Sequence, residues 1–316
     1  MNEVDKIALE QHEILQILNH NYDIVFTDIE FYRDGGNLTY TVLSDETKYF
    51  LKVIRPTFLT TAVQSADIHL YLQNYDFAVP PIILTKDEQP YIKTGKDDTT
   101  NLLILYEYIA GDEPTDEDVE NVGELVGRFH NLMESYPNEL EKQDKHFFIG
   151  RYIDILRSKN HDRIDEYEEL AEKLWEKVKN LPRSYCHCDL YIGNIFKTES
   201  DKLYVLDFDT SCNAFPVYDI TLFCDRTSFF EYSDEGYEKS KMCLERFLKG
   251  YLKHRSLTKE EIAAVHYFRL IYHYQLQATI VEIHGINCND DDFEDKQLDW
   301  LKSYINKAKA EANINL

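Results

Sequence analysis

The sequence predicts an α+β fold in two lobes, and three observations support this prediction. The chain has 316 residues, more than a typical single domain contains. Short β-rich apolar segments at 24–31, 38–43 and 49–54 occupy its first part. From about residue 112 onward the apolar residues follow helical spacing. We therefore predict a smaller lobe with an antiparallel sheet at 1–107 and a larger, mainly helical lobe at 108–316.

The composition restricts the classes of partner. A net charge of −24 disfavours nucleic acid, because phosphate binding needs clustered lysine and arginine. The same charge fits a small cationic molecule, although a negative surface also serves solubility by itself. The chain has no run of eighteen apolar residues and no basic, apolar N-terminal segment, so we expect neither a membrane span nor a secretory signal. The sequence does not indicate an oligomeric state.

The six cysteines indicate a reduced environment. They show no C-x-x-C pair and no regular spacing, which favours free thiols in a cytoplasmic protein over a disulfide framework. The run C-H-C at 186–188 is weak evidence for zinc, because neighbouring side chains of an extended segment point to opposite faces and no second ligand cluster follows.

The first lobe contains one lysine in an unusual setting. A helical stripe at 3–19 comes first, and two strands then flank the turn R-D-G-G-N at 33–37. Lys52 lies inside the apolar strand Y-F-L-K-V-I, where an ammonium group is costly unless it reaches an anion. The next helix, at 61–73, has Asp67 as its only carboxylate. A further apolar strand at 102–108 ends just before an Ala-Gly pair.

The second lobe begins with a helix whose apolar positions run from Val119 to Met133, and we expect His130 to be packed within it. Two charged amphipathic helices follow at 151–180, and longer ones at 237–254 and 258–285. Thr258 and Glu261 form a capping-box pattern at the start of the last. The aromatic residues of that helix, including Tyr272, are expected in the core.

Three polar residues between the helical segments carry the chemistry. Asp189 is followed by Asn194 five residues later and by Asp207 after thirteen more. The segment between the last two reads as a β-hairpin, which would bring Asp207 back beside Asn194. Phosphoryl transfer needs one carboxylate to orient the acceptor hydroxyl and take its proton, and oxygen ligands for Mg²⁺. Asp189 suits the first task, and Asn194 and Asp207 suit the second.

The segment H-C-D-L-Y-I-G-N with the later D-F-D resembles the H-G-D-x-x-x-x-N and D-F-D/E motifs of the aminoglycoside phosphotransferase and choline kinase superfamily. His187 and Asp189 match that pattern, and Cys188 replaces its usual glycine. The resemblance implies a protein-kinase-like two-lobe fold. It also implies transfer of the γ-phosphate of ATP, or GTP, to a hydroxyl with Mg²⁺ as cofactor.

The resemblance assigns further residues. Lys52 would bind the nucleotide phosphates, while the Glu107 carbonyl and the Ile109 amide would bind the adenine edge. Asp219 would support the catalytic loop by hydrogen bonds, as would His187. The sequence leaves open whether Asp67 pairs with the lysine and whether Asp209 reaches a metal or is structural.

The acceptor stays open within the superfamily. We expect a small, hydroxylated and cationic molecule, similar to an aminoglycoside or an amino alcohol. Two alternatives remain: a bacterial Ser/Thr protein kinase, although no A-P-E segment is recognisable, and an inactive binding or scaffold protein that keeps the fold without turnover.

Overall fold

A computed structural model describes residues 9–95, 100–312 and 314–316. The chain forms two compact units, one of residues 1–113 and 193–210, the other of residues 114–192 and 211–316. The first unit contains an antiparallel sheet and the second is dominated by helices, as an α+β fold requires. Residues 193–210, which a division at residue 108 assigns to the second lobe, belong to the first unit.

The first unit is built on an antiparallel sheet. Its elements before residue 193 are α1 (Gln11–Asn21), β1 (Asp28–Asp34), β2 (Leu38–Ser44), β3 (Thr47–Ile54), α2 (Leu59–Asn74), β4 (Ile92–Thr94) and β5 (Asn101–Glu107). The five strands lie in the order β1-β2-β3-β5-β4, and all neighbours are antiparallel. Helix α1 starts about halfway into the predicted stripe, at a capping box between Glu10 and Glu13, and residues 3–8 of that prediction lie outside the described residues.

Strand β5 lies inside the first unit and is buried on both faces. Leu103 and Leu105 pack in a cluster with α1, whereas Leu102 and Ile104 pack with α2 on the opposite face. Successive side chains of a strand point to opposite faces, so this strand needs an uninterrupted apolar run. The sheet thereby fixes the neighbouring strand β3, which carries Lys52 opposite Ile104.

The second unit consists of helices around one large apolar core, together with a short pair of strands. Its elements are α3 (Val119–Met133), α4 (Arg151–Lys159), α5 (Ile164–Val178), β6 (Ser184–Cys186), β9 (Cys212–Ala214), α6 (Pro216–Cys224), α7 (Asp234–Tyr251), α8 (Lys259–His284) and α9 (Asp291–Ala312). The predicted helices at 151–180, 237–254 and 258–285 are confirmed, and Thr258 caps α8 with Glu261 as expected.

Helices α3 and α7 of the second unit approach each other backbone to backbone. A Cβ atom on Gly123 would lie 2.1 Å from the carbonyl oxygen of Phe247, and one on Gly250 would lie 1.8 Å from that of Glu120. Real Cβ atoms do not make such contacts, so glycine is required at both positions.

Among the described residues, no helix has the length and apolar character that a membrane crossing would need.

Candidate active site

The first part of the site is the hairpin within the first unit. Strands β7 (Ile195–Lys197) and β8 (Leu203–Val205) pair antiparallel, with Ile195 opposite Val205. The Leu206 N–H donates to the Asn194 carbonyl oxygen at 2.9 Å, which extends the pairing by one step. The return of the chain predicted between Asn194 and Asp207 is therefore confirmed, and both residues lie at the open end of the hairpin.

Lys52 ends in the same region and forms two ion pairs. Its Nζ lies 2.9 Å from Asp207 Oδ1 and 2.5 Å from Asp209 Oδ2. Burial alone would lower the pKa of this lysine, but the Asp207 and Asp209 carboxylates outweigh it and raise the pKa above the ordinary value. One ammonium thus faces two carboxylates, and the group keeps an excess negative charge that favours a further cation.

The two carboxylates differ in accessibility. The Asp207 side chain is 46% exposed, whereas that of Asp209 is 19% exposed. Asp209 also accepts a hydrogen bond from Asn37 Nδ2 at 3.4 Å. Asp209 is therefore anchored within the protein, and Asp207 is the acid better able to offer an oxygen to a ligand.

The turn between β1 and β2 is fixed by a clamp that the sequence did not reveal. Arg55, 7% exposed, donates from Nη1 and Nη2 to the two carboxylate oxygens of Asp34 at 3.0 and 2.9 Å. Its Nη1 also contacts the Gly36 carbonyl oxygen, and its backbone N–H donates to Asn37 Oδ1 at 3.1 Å. Gly36 has φ +96°, which suits a residue without a side chain. The glycine-containing turn is thus held rigidly beside the end of β3.

The pairing of Lys52 with Asp67, left open by the sequence, is not observed among the described residues, because both ion pairs of the lysine are with Asp207 and Asp209. Asp67 lies on the exposed face of α2. The buried face of that helix instead presents His69, whose ring packs edge-to-face on Phe208 with centroids 4.9 Å apart. Helical spacing explains this result, since Asp67 and His69 are two residues apart and cannot share a face.

Glu107 and Ile109 lie at the end of β5. The Glu107 N–H donates to the Pro81 carbonyl oxygen at 2.8 Å, and β5 ends at this residue. Tyr108 to Ala110 follow outside the strand, with Ile109 half-buried and its neighbours exposed. Their role toward a nucleotide stays a prediction.

Residues 187–189, the predicted catalytic loop, belong to the second unit, where Asp219 binds them. Asp219 is completely buried on α6, and its Oδ2 and Oδ1 accept the backbone N–H groups of His187 and Cys188, each at 2.8 Å. The Asp189 N–H donates to His187 Nδ1 at 3.3 Å, and the Asp189 side chain is half-buried. A carboxylate that accepts successive backbone donors fixes the path of the loop on which Asp189 lies.

Asp219 is itself held by a second pair of residues, His130 and Tyr251. His130 Nε2 is 3.0 Å from Asp219 Oδ2, and His130 Nδ1 is 2.9 Å from the Tyr251 hydroxyl. The arrangement assigns the proton to Nε2, with the tyrosine hydroxyl donating to Nδ1. His130 is packed in its helix as expected, but it also orients the buried carboxylate. Sequence analysis missed this role because its partners are 89 and 121 residues away along the chain.

Cys188 takes up an unusual backbone conformation. Its φ is +65°, a region that costs a side chain roughly 1–2 kcal/mol. The hydrogen bond to Asp219 offsets part of this cost. The conformation accounts for the glycine that the superfamily motif has at this position, and here the thiol packs 2.9 Å from the sulfur of Cys212.

Comparisons with known proteins give one family and one fold. The model of the phosphotransferase enzyme family matches residues 29–265. A homoserine kinase of Zymomonas mobilis is 25% identical over 245 residues, 72% of either chain. A homoserine kinase of Rhizobium meliloti is 30% identical over 165 residues, 48% of this chain and 47% of its own.

Solved structures resemble the whole chain. An amicoumacin kinase in complex with AMP-PNP, Ca²⁺ and Ami superposes with a TM-score of 0.74 at 17% identity, over 95% of this chain and 94% of its own. A microcompartment-associated aminopropanol kinase gives a TM-score of 0.72 at 18% identity, over 95% and 97%. At these identities the likeness concerns the fold, and it confirms the kinase-like fold expected from the sequence.

Proposed function

Because the chain belongs to the phosphotransferase enzyme family, whose model covers residues 29–265, we propose that it transfers the γ-phosphate of ATP to a hydroxyl of a small molecule that carries an amine. The enzyme class expected from the sequence, a small-molecule kinase with an alcohol group as acceptor, agrees with the family and with the homoserine kinases that match. The acceptor, the nucleotide and the role of each residue are our proposal.

The observation that carries the proposal is the convergence of Lys52, Asp207 and Asp209. Phosphoryl transfer uses a lysine for the phosphates and acid and amide groups for a metal ion, and these residue types lie together at the open end of the hairpin. In the reaction, the Lys52 ammonium would bind phosphate oxygens of the nucleotide. Its high pKa keeps it charged at every physiological pH.

Asn194 and Asp207 are suited to bind a magnesium ion. Carboxylate and amide oxygens are hard ligands of the kind Mg²⁺ prefers, and Asn194 and Asp207 supply them. The excess negative charge around Lys52 favours a divalent cation. When bound, the ion would neutralise charge on the β- and γ-phosphates. Asp209, less exposed and bonded to Asn37, would anchor Lys52.

Asp189 would act on the acceptor. Its carboxylate would accept the hydroxyl proton while the acceptor oxygen bonds to the γ-phosphorus and the bond to the β-phosphate oxygen breaks, releasing ADP. The loop that carries Asp189 is fixed by Asp219, so the base would be oriented in advance. Adenine would be bound by the Glu107 carbonyl and the Ile109 amide.

The acceptor is proposed to be small and amine-bearing. The net charge of −24 attracts cations, and the relatives include kinases named for homoserine and for aminopropanol. A cytoplasmic location fits six cysteines that are all free.

The test is Mg²⁺-dependent release of ADP with a panel of hydroxy amino acids, amino alcohols and spectinomycin. We expect turnover with at least one of them, and a loss of about 10²-fold or more in kcat for Asp189→Asn. Turnover that is unchanged in this variant would remove Asp189 from the mechanism. A folded protein that binds no ATP would favour the scaffold alternative.

A further inference from the structure

A buried arginine in the second unit has no place in the mechanism so far. Arg269 on α8 is 3% exposed, and its Nε lies 2.7 Å from Asp225 Oδ2 and 2.8 Å from Thr227 Oγ1. The Thr227 hydroxyl donates to Asp225 Oδ1 at 2.7 Å, and the Thr227 N–H donates to the same oxygen at 2.9 Å. These bonds hold the guanidinium in one orientation at the end of α6.

One nitrogen of this fixed guanidinium is unsatisfied. Arg269 Nη1 is buried and has no hydrogen-bond partner among the described residues. The ring of Trp300 lies 4.5 Å from the guanidinium carbon, but an aromatic face does not replace an acceptor in the guanidinium plane. A buried charged donor without a partner is strongly unfavourable, so we expect a ligand to supply the missing acceptor.

Other buried polar groups near Arg269 also lack hydrogen-bond partners among the described residues. Neither ring nitrogen of His273, one turn further along α8, has a well-formed hydrogen bond among the described residues, nor does the side-chain amide of Gln297 on α9. Phe229, from the segment that follows Asp225, stacks on the His273 ring with centroids 5.1 Å apart. The same segment also contacts Arg269 through Thr227, so it packs against these polar groups.

Arg269 lies close to the proposed catalytic base within the same unit. The ring of Tyr272 lies 5.8 Å from the guanidinium carbon. Burial, with the charge of Asp189 as the next contribution, raises the pKa of Tyr272 to about 12, although Arg269 opposes the shift. Helix α6 links the two residues directly: Asp219, which holds the loop of Asp189, and Asp225, which pairs with Arg269 at the end of the same helix, are about 9 Å apart along its axis. A molecule whose hydroxyl meets Asp189 can therefore direct another group toward Arg269.

The charges of Asp189 and Arg269 indicate which functional groups the acceptor carries. Asp189 attracts an ammonium group, while the unpaired Nη1 of Arg269 requires an anion or another acceptor. An amino alcohol satisfies the first requirement and leaves Nη1 unpaired. We propose that the acceptor is a hydroxy amino acid whose α-carboxylate binds Arg269 Nη1, which makes Arg269 a specificity-determining residue. This inference rests on the proposed function and narrows its acceptor class.

The experiment compares acceptors that differ only by the α-carboxylate. The pairs are L-serine with ethanolamine, L-homoserine with 3-aminopropan-1-ol, and L-threonine with 1-aminopropan-2-ol. For the best pair, we expect kcat/KM of the wild-type enzyme to favour the amino acid by about 10- to 100-fold, the range of a hydrogen bond to a charged group. In Arg269→Gln the preference should fall to within about threefold, through loss of activity on the amino acid, while KM for ATP stays unchanged.

Arg151→Gln is the matched control, because Arg151 also ties another element to α8, through Thr279 and Glu282, yet has no proposed contact with the acceptor. It should keep the amino-acid preference. If Arg269→Gln does not fold, the wild-type ratios still decide: phosphorylation of the amino alcohols as efficiently as the amino acids overturns the inference and leaves the proposed function intact. Phosphorylation of no member of the wider panel overturns both.

Discussion

The substitution Asp219→Asn tests how the catalytic loop is held. Asp219 accepts two backbone N–H groups at 2.8 Å and faces His130 Nε2 at 3.0 Å. Asparagine keeps one acceptor oxygen and turns an NH₂ group toward one of these donors. A buried donor without a partner costs about 1–3 kcal/mol, and loss of the charge weakens the remaining bonds by about 1 kcal/mol. We expect the free energy of unfolding to fall by about 2–4 kcal/mol.

Urea denaturation followed by tryptophan fluorescence is the suitable assay. The only tryptophans, Trp175 and Trp300, both lie in the unit that contains Asp219, so the signal reports the unfolding of that unit. A shift in the midpoint at constant slope measures the change in stability. Because the loop carries Asp189, kcat should also fall by about 10- to 100-fold in the population that remains folded.

Asp154→Asn is the matched control for the same chemical change. Asp154 is 57% exposed and pairs with Arg157 at 3.1 Å, an interaction worth at most about 1 kcal/mol. An Asp219→Asn variant that is no less stable than this control, with wild-type kcat, would refute the reasoning that the loop depends on the buried carboxylate.

Four further predictions follow from the structure. Lys52→Met leaves Asp207 and Asp209 without their cation, and steady-state kinetics should show kcat reduced by about 10²–10³ and a raised KM for ATP. Arg55→Met removes the clamp on the turn before Asn37, which should lower the unfolding free energy of the first unit, followed by circular dichroism, by about 2–4 kcal/mol. Burial and, second, Lys241 lower the pKa of His266 to about 4, so the folded chain keeps the ring neutral while the unfolded chain takes up a proton below about pH 6.5. The contribution of His266 to stability should therefore fall by about 1–3 kcal/mol between pH 6.5 and 4, and urea titrations should show an acid slope that is smaller by this amount in His266→Gln than in the wild type. Gly250→Ala should destabilise the second unit by about 2–3 kcal/mol in the tryptophan assay, because its Cβ would overlap the Glu120 carbonyl oxygen.

Specific results would contradict each of these four predictions. A wild-type KM for ATP in Lys52→Met would mean that the lysine does not bind the nucleotide. For Arg55, an unchanged midpoint would show that the turn is fixed by other contacts. An acid slope as steep in His266→Gln as in the wild type would mean that His266 does not contribute to it. A wild-type midpoint for Gly250→Ala would mean that α3 and α7 separate without cost.

Sequence analysis succeeded where the signal is local. Asn194, the hairpin and Asp207 lie within fourteen residues, and alternation of apolar side chains is enough to predict their pairing. Lys52 was recognisable because an ammonium in an apolar strand demands an anion. In the structure the anions are the carboxylates of Asp207 and Asp209. They take the place of Asp67, the helix acid whose pairing with the lysine the sequence left open.

The remainder depends on partners that are distant in sequence. Asp34 and Arg55 are 21 residues apart, and His130 meets Asp219 across 89 residues. Neither pair follows the periodic spacing of a helix or a strand, so no pattern in a single sequence indicates that the two residues are in contact. The sequence also gives no local sign that residues 193–210 belong to the first unit. The chain leaves the helical unit for these eighteen residues and then returns to it. Arg269 was overlooked because charged residues on a long helix usually face solvent.

The backbone contact between α3 and α7 fixes the distance between these two helices. Gly123 and His130 lie on the same helix, and Gly250 directly precedes Tyr251, so the glycine contact sets how far the tyrosine hydroxyl reaches toward the histidine. His130 in turn contacts Asp219, which binds the loop that carries the proposed base, Asp189. Since backbone meets backbone at the two glycines, no rotamer change can absorb an added methyl group. A substitution at Gly250, which has no proposed contact with a substrate, should therefore shift this loop and lower turnover as well as thermal stability.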